Sequence, residues 1–228
     1  MSNLSFSETR ALALKACRGA GFSWGLAEEA QDLVHTLALL DFPALEMLAS
    51  LLRLYEAPRR DSTPKEPCPS SPNWTAGKRT LCGVTLATYL RDTGFAIIQK
   101  KSGGCGRSNY IGPVAGPLFV AAAAVGVNRT TGLESRLCWE SASVEVNNGA
   151  IKTGGTGLLD PIARELVIID RAADLDRSES EALEKRIANA ARRISTSETA
   201  LAFLQALAAR TLVPESDQSR SRGAGEGN

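Results

Sequence analysis

The sequence predicts an α+β protein with a helical N-terminal segment, a central antiparallel β-meander and a C-terminal helical hairpin. Three observations carry this prediction. Apolar residues recur at helical spacing over residues 5–56 and again over residues 178–212, and an Asn-Gly pair separates two extended runs between them. The 228 residues, 43% of them hydrophobic and 22% charged, suffice for one large domain or a core with a small helical lobe.

Residues 5–56 are predicted to form three helices. Ser5 and Glu8 have the spacing of a capping box, which begins a helix running to about Cys17. The second helix begins near Gly25, and the third follows Pro43, a residue suited to a first turn. The apolar face of the second helix is Leu26, Ala30, Leu33, Leu37 and Leu40. The apolar face of the third helix is Leu45, Leu48, Leu52 and Tyr55.

A proline-rich segment at residues 57–78 divides the chain. Five prolines within it exclude a helix interior or a central strand, so this segment is predicted to be a linker or a long surface loop. It separates the N-terminal helical segment, residues 1–56, from an α+β core with C-terminal helices, residues 79–213. A polar, glycine-rich tail follows at residues 214–228, and we expect it to be flexible unless other residues hold it.

The middle of the chain carries the β signals. Residues 138–146 and 150–153 are predicted strands joined by the turn Asn147-Asn148-Gly149, because Asn and Gly tolerate positive φ. Residues 165–170, ELVIID, are a further predicted strand.

Less distinct signals precede these strands. The run from Leu81 to Leu90 fits either a helix or a buried strand, and residues 95–99 resemble a strand. The alanine-rich run that follows is predicted to be a helix beginning at Pro117.

Two capping boxes predict the C-terminal hairpin. Ser178 with Glu181 begins one helix, and Ser195 with Glu198 begins the next. A turn of two or three residues between them would place the two helices side by side.

Composition argues against several functional classes. The net charge of +1 provides no excess of basic residues for binding nucleic acid. The five cysteines form no CxxC pair, which disfavours a zinc ribbon or a disulfide framework and fits a reducing cytoplasm. The N-terminus lacks a signal-peptide pattern, and the longest apolar run, residues 114–127, is too short and broken to span a membrane. We therefore expect a cytoplasmic protein without nucleic-acid or membrane partners.

His35 is the only histidine. It would act as a general base if it lay in a site, but its place beside the apolar face of the second helix favours a partly packed ring. A single imidazole excludes zinc sites built on two or three histidines. No metal and no cofactor is predicted.

Cys105 is the candidate nucleophile. It lies in the glycine-rich run SGGCGRSN, where Arg107 would favour the thiolate. The alternative is a glycine-rich turn that contains a cysteine, and no partner base is identifiable. The run matches neither GxGxxG nor a Walker loop, so nucleotide binding by a standard loop is disfavoured.

Two end motifs carry a family resemblance. One is RGAGFSWGLAEEA at residues 18–30, and the other is RTLVPES at residues 210–216, followed by Ser219-Arg220 and Gly223-Ala224-Gly225. Together they resemble an uncharacterised bacterial family of about this length, which implies a bacterial, cytoplasmic protein of unknown function. The N-terminal helices are also similar in pattern to the start of the type-2 malate/lactate/ureidoglycolate dehydrogenases, but that family's catalytic histidine motif is missing, so no activity is carried over.

The resemblance suggests that the two ends form one site. The tail would fold back so that Arg220 pairs with Glu28 or its neighbour, with Trp24 as the apolar floor. The candidate binding residues are Arg18, Trp24, Glu28, Ser219 and Arg220.

Three functions remain open. The preferred one is an accessory or small-molecule-binding protein, since no catalytic constellation is present. An enzyme acting on a small carboxylate would use arginines for binding and Cys105 as nucleophile. The third is a subunit that docks on an oxidoreductase or another partner, or on a second copy, through its helical ends.

Overall fold

The computed structural model describes residues 1–56, 80–94, 108–171 and 193–211. These residues form helices and mainly antiparallel sheets, which confirms the α+β class. Several predictions lie outside the described residues: the proline-rich loop, the strand at 95–99, Cys105, the helix expected from Ser178, and the tail with Ser219 and Arg220.

A short strand and three helices form the N-terminal segment. They are β1 (Ser2–Leu4), α1 (Phe6–Gly19), α2 (Trp24–Leu39) and α3 (Ala44–Glu56). The predicted capping box is present: the backbone N–H of Ser5 donates to Glu8 Oε2 at 2.7 Å, and that of Glu8 donates to Ser5 Oγ at 3.2 Å. α1 runs two residues beyond its predicted end, and the chain then turns at Gly21, whose φ is 95°.

The predicted apolar faces of α2 and α3 lie in the core. Their fully buried members are Ala30, Leu33, Leu37, Leu45, Leu48 and Leu52. Their half-buried members, which pack against that core, are Leu26, Leu40 and Tyr55.

The ambiguous segment at residues 81–90 contains both candidate elements. β2 (Leu81–Cys82) leads directly into α4 (Gly83–Tyr89), which continues as a π-helix at Leu90–Gly94. β2 pairs in parallel with β4 (Val114–Ala115), and β4 pairs antiparallel with β8 (Ile162–Ala163).

The helix predicted from Pro117 is α5, Pro117–Thr131. It begins at that proline and ends at Gly132, whose φ of 73° stops the helix. Every residue from 117 to 125 is buried, because α5 lies between α2 and α4 on one side and the main sheet on the other.

The main sheet has five antiparallel strands in the order β3-β9-β5-β6-β7. They are β3 (Ser108–Ile111), β5 (Glu134–Trp139), β6 (Ala142–Asn147), β7 (Ala150–Gly155) and β9 (Leu166–Arg171). An antiparallel meander is present, and the Asn-Gly hairpin of β6 and β7 and the strand at ELVIID are confirmed. β9, however, joins the far side of β5 rather than following β7.

One strand prediction in this sheet is wrong. Residues 138–146 are not one extended run, because the chain reverses at Glu140-Ser141 between β5 and β6. Glu140 adopts a φ of 39°, a left-handed conformation that is uncommon for residues other than glycine. A glutamate at this position therefore did not indicate a turn. The Asn-Gly turn does occur as predicted, with positive φ at Asn148 and Gly149.

The C-terminal hairpin prediction is also wrong in part. The residues before the last helix form β10 (Ile194–Thr196), which pairs antiparallel with β1, so no short helix-to-helix turn lies there. α6 (Glu198–Ala209) is capped by Ser197 rather than Ser195. The pairing with β1 explains the difference, since it satisfies the backbone of β10 and buries Ile194 and Thr196.

Contacts from α3 hold the C-terminal helix on the N-terminal segment. Glu46 Oε1 accepts hydrogen bonds from Thr196 Oγ1 at 2.9 Å and from the backbone N–H of Ser197 at 2.7 Å. The guanidinium of Arg53 lies 4.8 Å from the ring centre of Phe203. α6 is thereby placed alongside α1.

Candidate functional site: a basic cleft where the two ends meet

A cleft of about 450 Å³ opens where the C-terminal ends of α1 and α6 meet the start of α2. We call it the end cleft. Its lining residues are Leu14, Lys15, Arg18, Trp24, Arg210 and Thr211.

Gly19 lets α6 approach α1 closely. A Cβ atom at this position would lie 1.8 Å from the carbonyl oxygen of Leu207, a separation that no side chain can occupy. The atoms nearest this position belong to the backbone of Leu207, so a change of side-chain rotamer could not relieve the clash. The lack of a side chain at Gly19 therefore brings Arg210 into the cleft that contains Arg18.

Arg18 and Trp24 form a stacked pair at one wall. The guanidinium of Arg18 lies 5.2 Å from the indole centre, within cation–π range. Its Nη1 also donates to the carbonyl of Phe22, which fixes the guanidinium against the turn between α1 and α2. The indole remains 60% exposed and offers apolar surface to the cleft.

The turn between α1 and α2 is itself well anchored. The backbone N–H of Phe22 donates to the carbonyl of Cys17 at 3.0 Å. The ring of Phe22 packs against the ring of Tyr55, with 4.9 Å between the ring centres. Ser23 caps α2 through the backbone N–H of Leu26. These contacts fix the position of Trp24, the first residue of α2.

Arg210 stands on the opposite wall and pairs with Glu56. Its Nη1 and Nη2 donate to the two carboxylate oxygens at 2.9 and 2.6 Å, a bidentate arrangement. The hydrogen bonds to Arg210 lower the pKa of Glu56, and the same bonds raise the pKa of Arg210. Glu56 thus holds the guanidinium of Arg210 in place at the cleft.

The end cleft is electropositive. Lys15, Arg18 and Arg210 contribute three positive charges, and the carboxylate paired with Arg210 offsets one of them, which leaves two. A concave surface with two uncompensated cations and an exposed aromatic ring suits an anion that carries an apolar part.

The sequence-predicted site residues fall into three groups. Arg18 and Trp24 line the end cleft. Glu28 is exposed on α2 and is not part of the lining, while its neighbour Glu29 pairs with Arg91 at 2.6 Å. Ser219, Arg220 and Cys105 lie outside the described residues.

Lys15 and Arg210 are functional candidates that the sequence prediction missed. Lys15 lies three positions before Arg18, a spacing that places both on one side of α1. Arg210 opens the C-terminal end motif, but its position beside Arg18 depends on the packing of two helices distant in sequence. The helical spacing could have indicated Lys15, whereas no local signal indicates the place of Arg210.

His35 lies away from the cleft as a half-buried residue of α2. Its ring makes an edge-on contact with the ring of Phe6, with 5.4 Å between the ring centres. Its Nδ1 is buried without a hydrogen-bond partner. Burial lowers the pKa of His35, the charge of Arg10 lowers it further, and the charge of Asp32 partly opposes this. The residue therefore resembles the partly packed helix-edge histidine expected from the sequence.

This environment predicts a pH dependence of stability. Because the folded state lowers the pKa of His35, unfolding takes up a proton on acidification, and stability falls as the pH drops through about 6.5, the unfolded value. We expect the free energy of unfolding, from urea melts, to decline between pH 7.5 and 5.5 in the wild type and to stay level in His35→Gln. Equal declines in both proteins would contradict this assignment; the lowered pKa values of Glu8 and Glu56 act only at more acidic pH.

Among the described residues, no group of three or more His, Cys, Asp or Glu side chains is arranged to hold a metal ion. Within the same part of the chain, none of the helices has the length and apolar character needed to cross a membrane.

Comparison with known proteins confirms the predicted resemblance over part of the chain. Residues 4–82 match the model of an uncharacterised family, described as a protein of unknown function (DUF3726). The match runs from β1 to β2 and includes the RGAGFSWGLAEEA motif, whereas Arg210 lies beyond it. No curated protein and no solved structure matches the chain.

Proposed function

We propose that this chain is a non-catalytic binding protein for small organic anions, and that it binds them in the end cleft. The observation that carries the proposal is the convergence of Lys15, Arg18 and Arg210 around the exposed indole of Trp24. A bacterial, cytoplasmic setting belongs to the same proposal, and it is supported by the end motifs and by the buried free thiols of Cys17 and Cys82.

The three cations differ in how they would bind a carboxylate. Arg18 is already oriented by Trp24 and by the carbonyl of Phe22, so its remaining donors are preorganised and lose little entropy on binding. Arg210 is held by Glu56 and presents the rest of its planar fork. Lys15 is exposed and would add a mobile point charge.

Calorimetric titration with hexanoate and benzoate tests the proposal. We expect binding that weakens with added salt, and Lys15→Gln and Arg210→Gln should each raise the Kd about five- to tenfold, because each removes one charge-assisted contact. Lys152→Gln is the matched control, since Lys152 is exposed on β7 and does not line the end cleft.

Melting curves of the variants separate loss of binding from loss of fold. The pair of Arg210 with Glu56 is exposed to solvent and contributes little to stability, so Arg210→Gln should remain folded. Absence of binding to the wild type, or equal losses in Lys152→Gln and Lys15→Gln, would reject the proposed function.

A further inference from the structure

A second concave surface runs along the seam between α1 and α6. It has a volume of about 380 Å³, and we call it the α1–α6 groove. Its lining residues are Leu4, Glu8, Ala11, Leu12, Lys15, Leu201, Gln205, Ala208 and Ala209. Six of these nine are leucine or alanine, so the groove is mainly apolar.

The groove and the end cleft are continuous. Lys15 lines both, and on α6 the groove residues Ala208 and Ala209 directly precede the cleft residues Arg210 and Thr211. One surface therefore passes from an apolar channel into a cationic end. Free amphiphiles with an anionic head and a hydrocarbon chain have the same distribution of charge and apolar surface.

Resting on the proposed function, we infer that the ligand is an unbranched fatty-acid-type carboxylate. Its carboxylate lies in the end cleft between Arg18 and Arg210, and its chain follows the α1–α6 groove towards Leu4. Lys15 stands where head and chain meet, and its methylene stem can lie along the chain while its ammonium group faces the carboxylate.

The charge of Glu8 sets the direction of the ligand. This carboxylate lines the groove and accepts hydrogen bonds from the backbone and hydroxyl of Ser5, which lower its pKa and keep it ionised. An anionic head at that end would meet a like charge, whereas the end cleft offers two uncompensated positive charges. From Glu8 to Arg18 the helix extends about 15 Å, which is room for a chain of medium length.

The decisive measurement is a chain-length series. We would determine the Kd of the full-length protein for butanoate, hexanoate, octanoate and decanoate. The carboxylates are kept at concentrations at which they form no micelles. We expect the Kd to fall about two- to fourfold for each added methylene until the groove is filled, because full burial of one methylene corresponds to about fourfold and the groove is open on one side. Butanoate should bind weakly through the end cleft alone.

A groove variant with a matched control localises the chain. Ala11→Gln places a longer polar side chain in the groove, and Ala202→Gln makes the same change on an exposed position of α6 outside it. Both positions are helical and exposed, so both variants should fold. We expect Ala11→Gln to raise the Kd for decanoate about fivefold or more and the Kd for butanoate less than twofold. Ala202→Gln should leave both Kd values unchanged.

The outcomes distinguish the two proposals. If all four carboxylates bind with one Kd, the end cleft binds anions and the groove inference is overturned. If none binds, the proposed function fails and the inference fails with it. If Ala11→Gln abolishes self-association in sedimentation velocity and leaves the chain-length dependence unaltered, the groove is covered by a second copy, which also overturns the inference.

Discussion

Replacing Gly19 with alanine is expected to lower the free energy of unfolding by about 3 kcal/mol. The new Cβ would lie 1.8 Å from the carbonyl oxygen of Leu207, so α1 and α6 must separate. Separation weakens the packing around the buried Leu204 and Leu207. It also moves Arg210 away from Arg18, so the variant should lose carboxylate affinity even under conditions in which it remains folded.

Gly25→Ala is the matched control for this experiment. Gly25 lies in the first turn of α2, and a Cβ there would meet no atom within 4 Å. The substitution should leave stability unchanged or raise it by up to about 1 kcal/mol, because alanine restricts the unfolded chain. Urea unfolding followed by circular dichroism measures both variants, and similar stabilities would show that α1 and α6 are not in backbone contact.

Replacing Asn128 with alanine is expected to lower the free energy of unfolding by about 3 kcal/mol. Asn128 is buried near the end of α5, where its Nδ2 donates to the carbonyl of Leu133 at 2.8 Å and its Oδ1 accepts from the backbone N–H of Gly149. One side chain thus joins the end of α5 to the turn between β6 and β7. Alanine would leave the buried N–H of Gly149 and the partly buried carbonyl of Leu133 unpaired.

Thr130→Ala separates this effect from a general weakening of the helix end. Thr130 is exposed, and its hydroxyl bonds only to carbonyls of the preceding turn, so its loss should cost about 0.5 kcal/mol or less. Comparable losses for the two variants in thermal unfolding would contradict the linking role of Asn128.

Local features of the sequence predicted much of the fold. The capping box at Ser5, the proline start of α5 and the Asn-Gly turn depend on residues close in the chain, and the structure contains all three. These signals work because the hydrogen bonds and φ angles they require are set within a few residues.

Features that depend on distant partners were missed. β10 resembled a helix start because Ser195 and Glu198 have capping-box spacing, yet pairing with β1, almost two hundred residues away in sequence, determines its conformation. The reversal at Glu140-Ser141 contains no Gly, Pro, Asn or Asp, and the hydrogen bonds of β5 with β6 and β9 determine its position. Tertiary contacts overrode the local pattern in both places.

The candidate site was visible only in part for the same reason. Arg18 and Trp24 share one motif, so adjacent residues were enough to propose both as candidates. The position of Arg210 depends on the backbone contact at Gly19 and on the ion pair with Glu56, neither of which is encoded locally. The proposed contact of Arg220 with residues 18–29 lies outside the described residues, whereas Arg210 and Thr211, at the start of the same C-terminal motif, line the end cleft with Arg18 and Trp24.

The indole resonances of the tryptophans test the central claim, anion binding where α1 and α6 meet, most directly. Trp24 lies exposed in the end cleft, whereas the indole N–H of Trp139 is buried and donates to the carbonyl of Gly157 at 3.0 Å. In ¹H-¹⁵N spectra assigned with Trp24→Phe, titration with octanoate should shift the Trp24 signal saturably and leave the Trp139 signal in place. A Trp24 signal that stays fixed throughout the titration would contradict the claim.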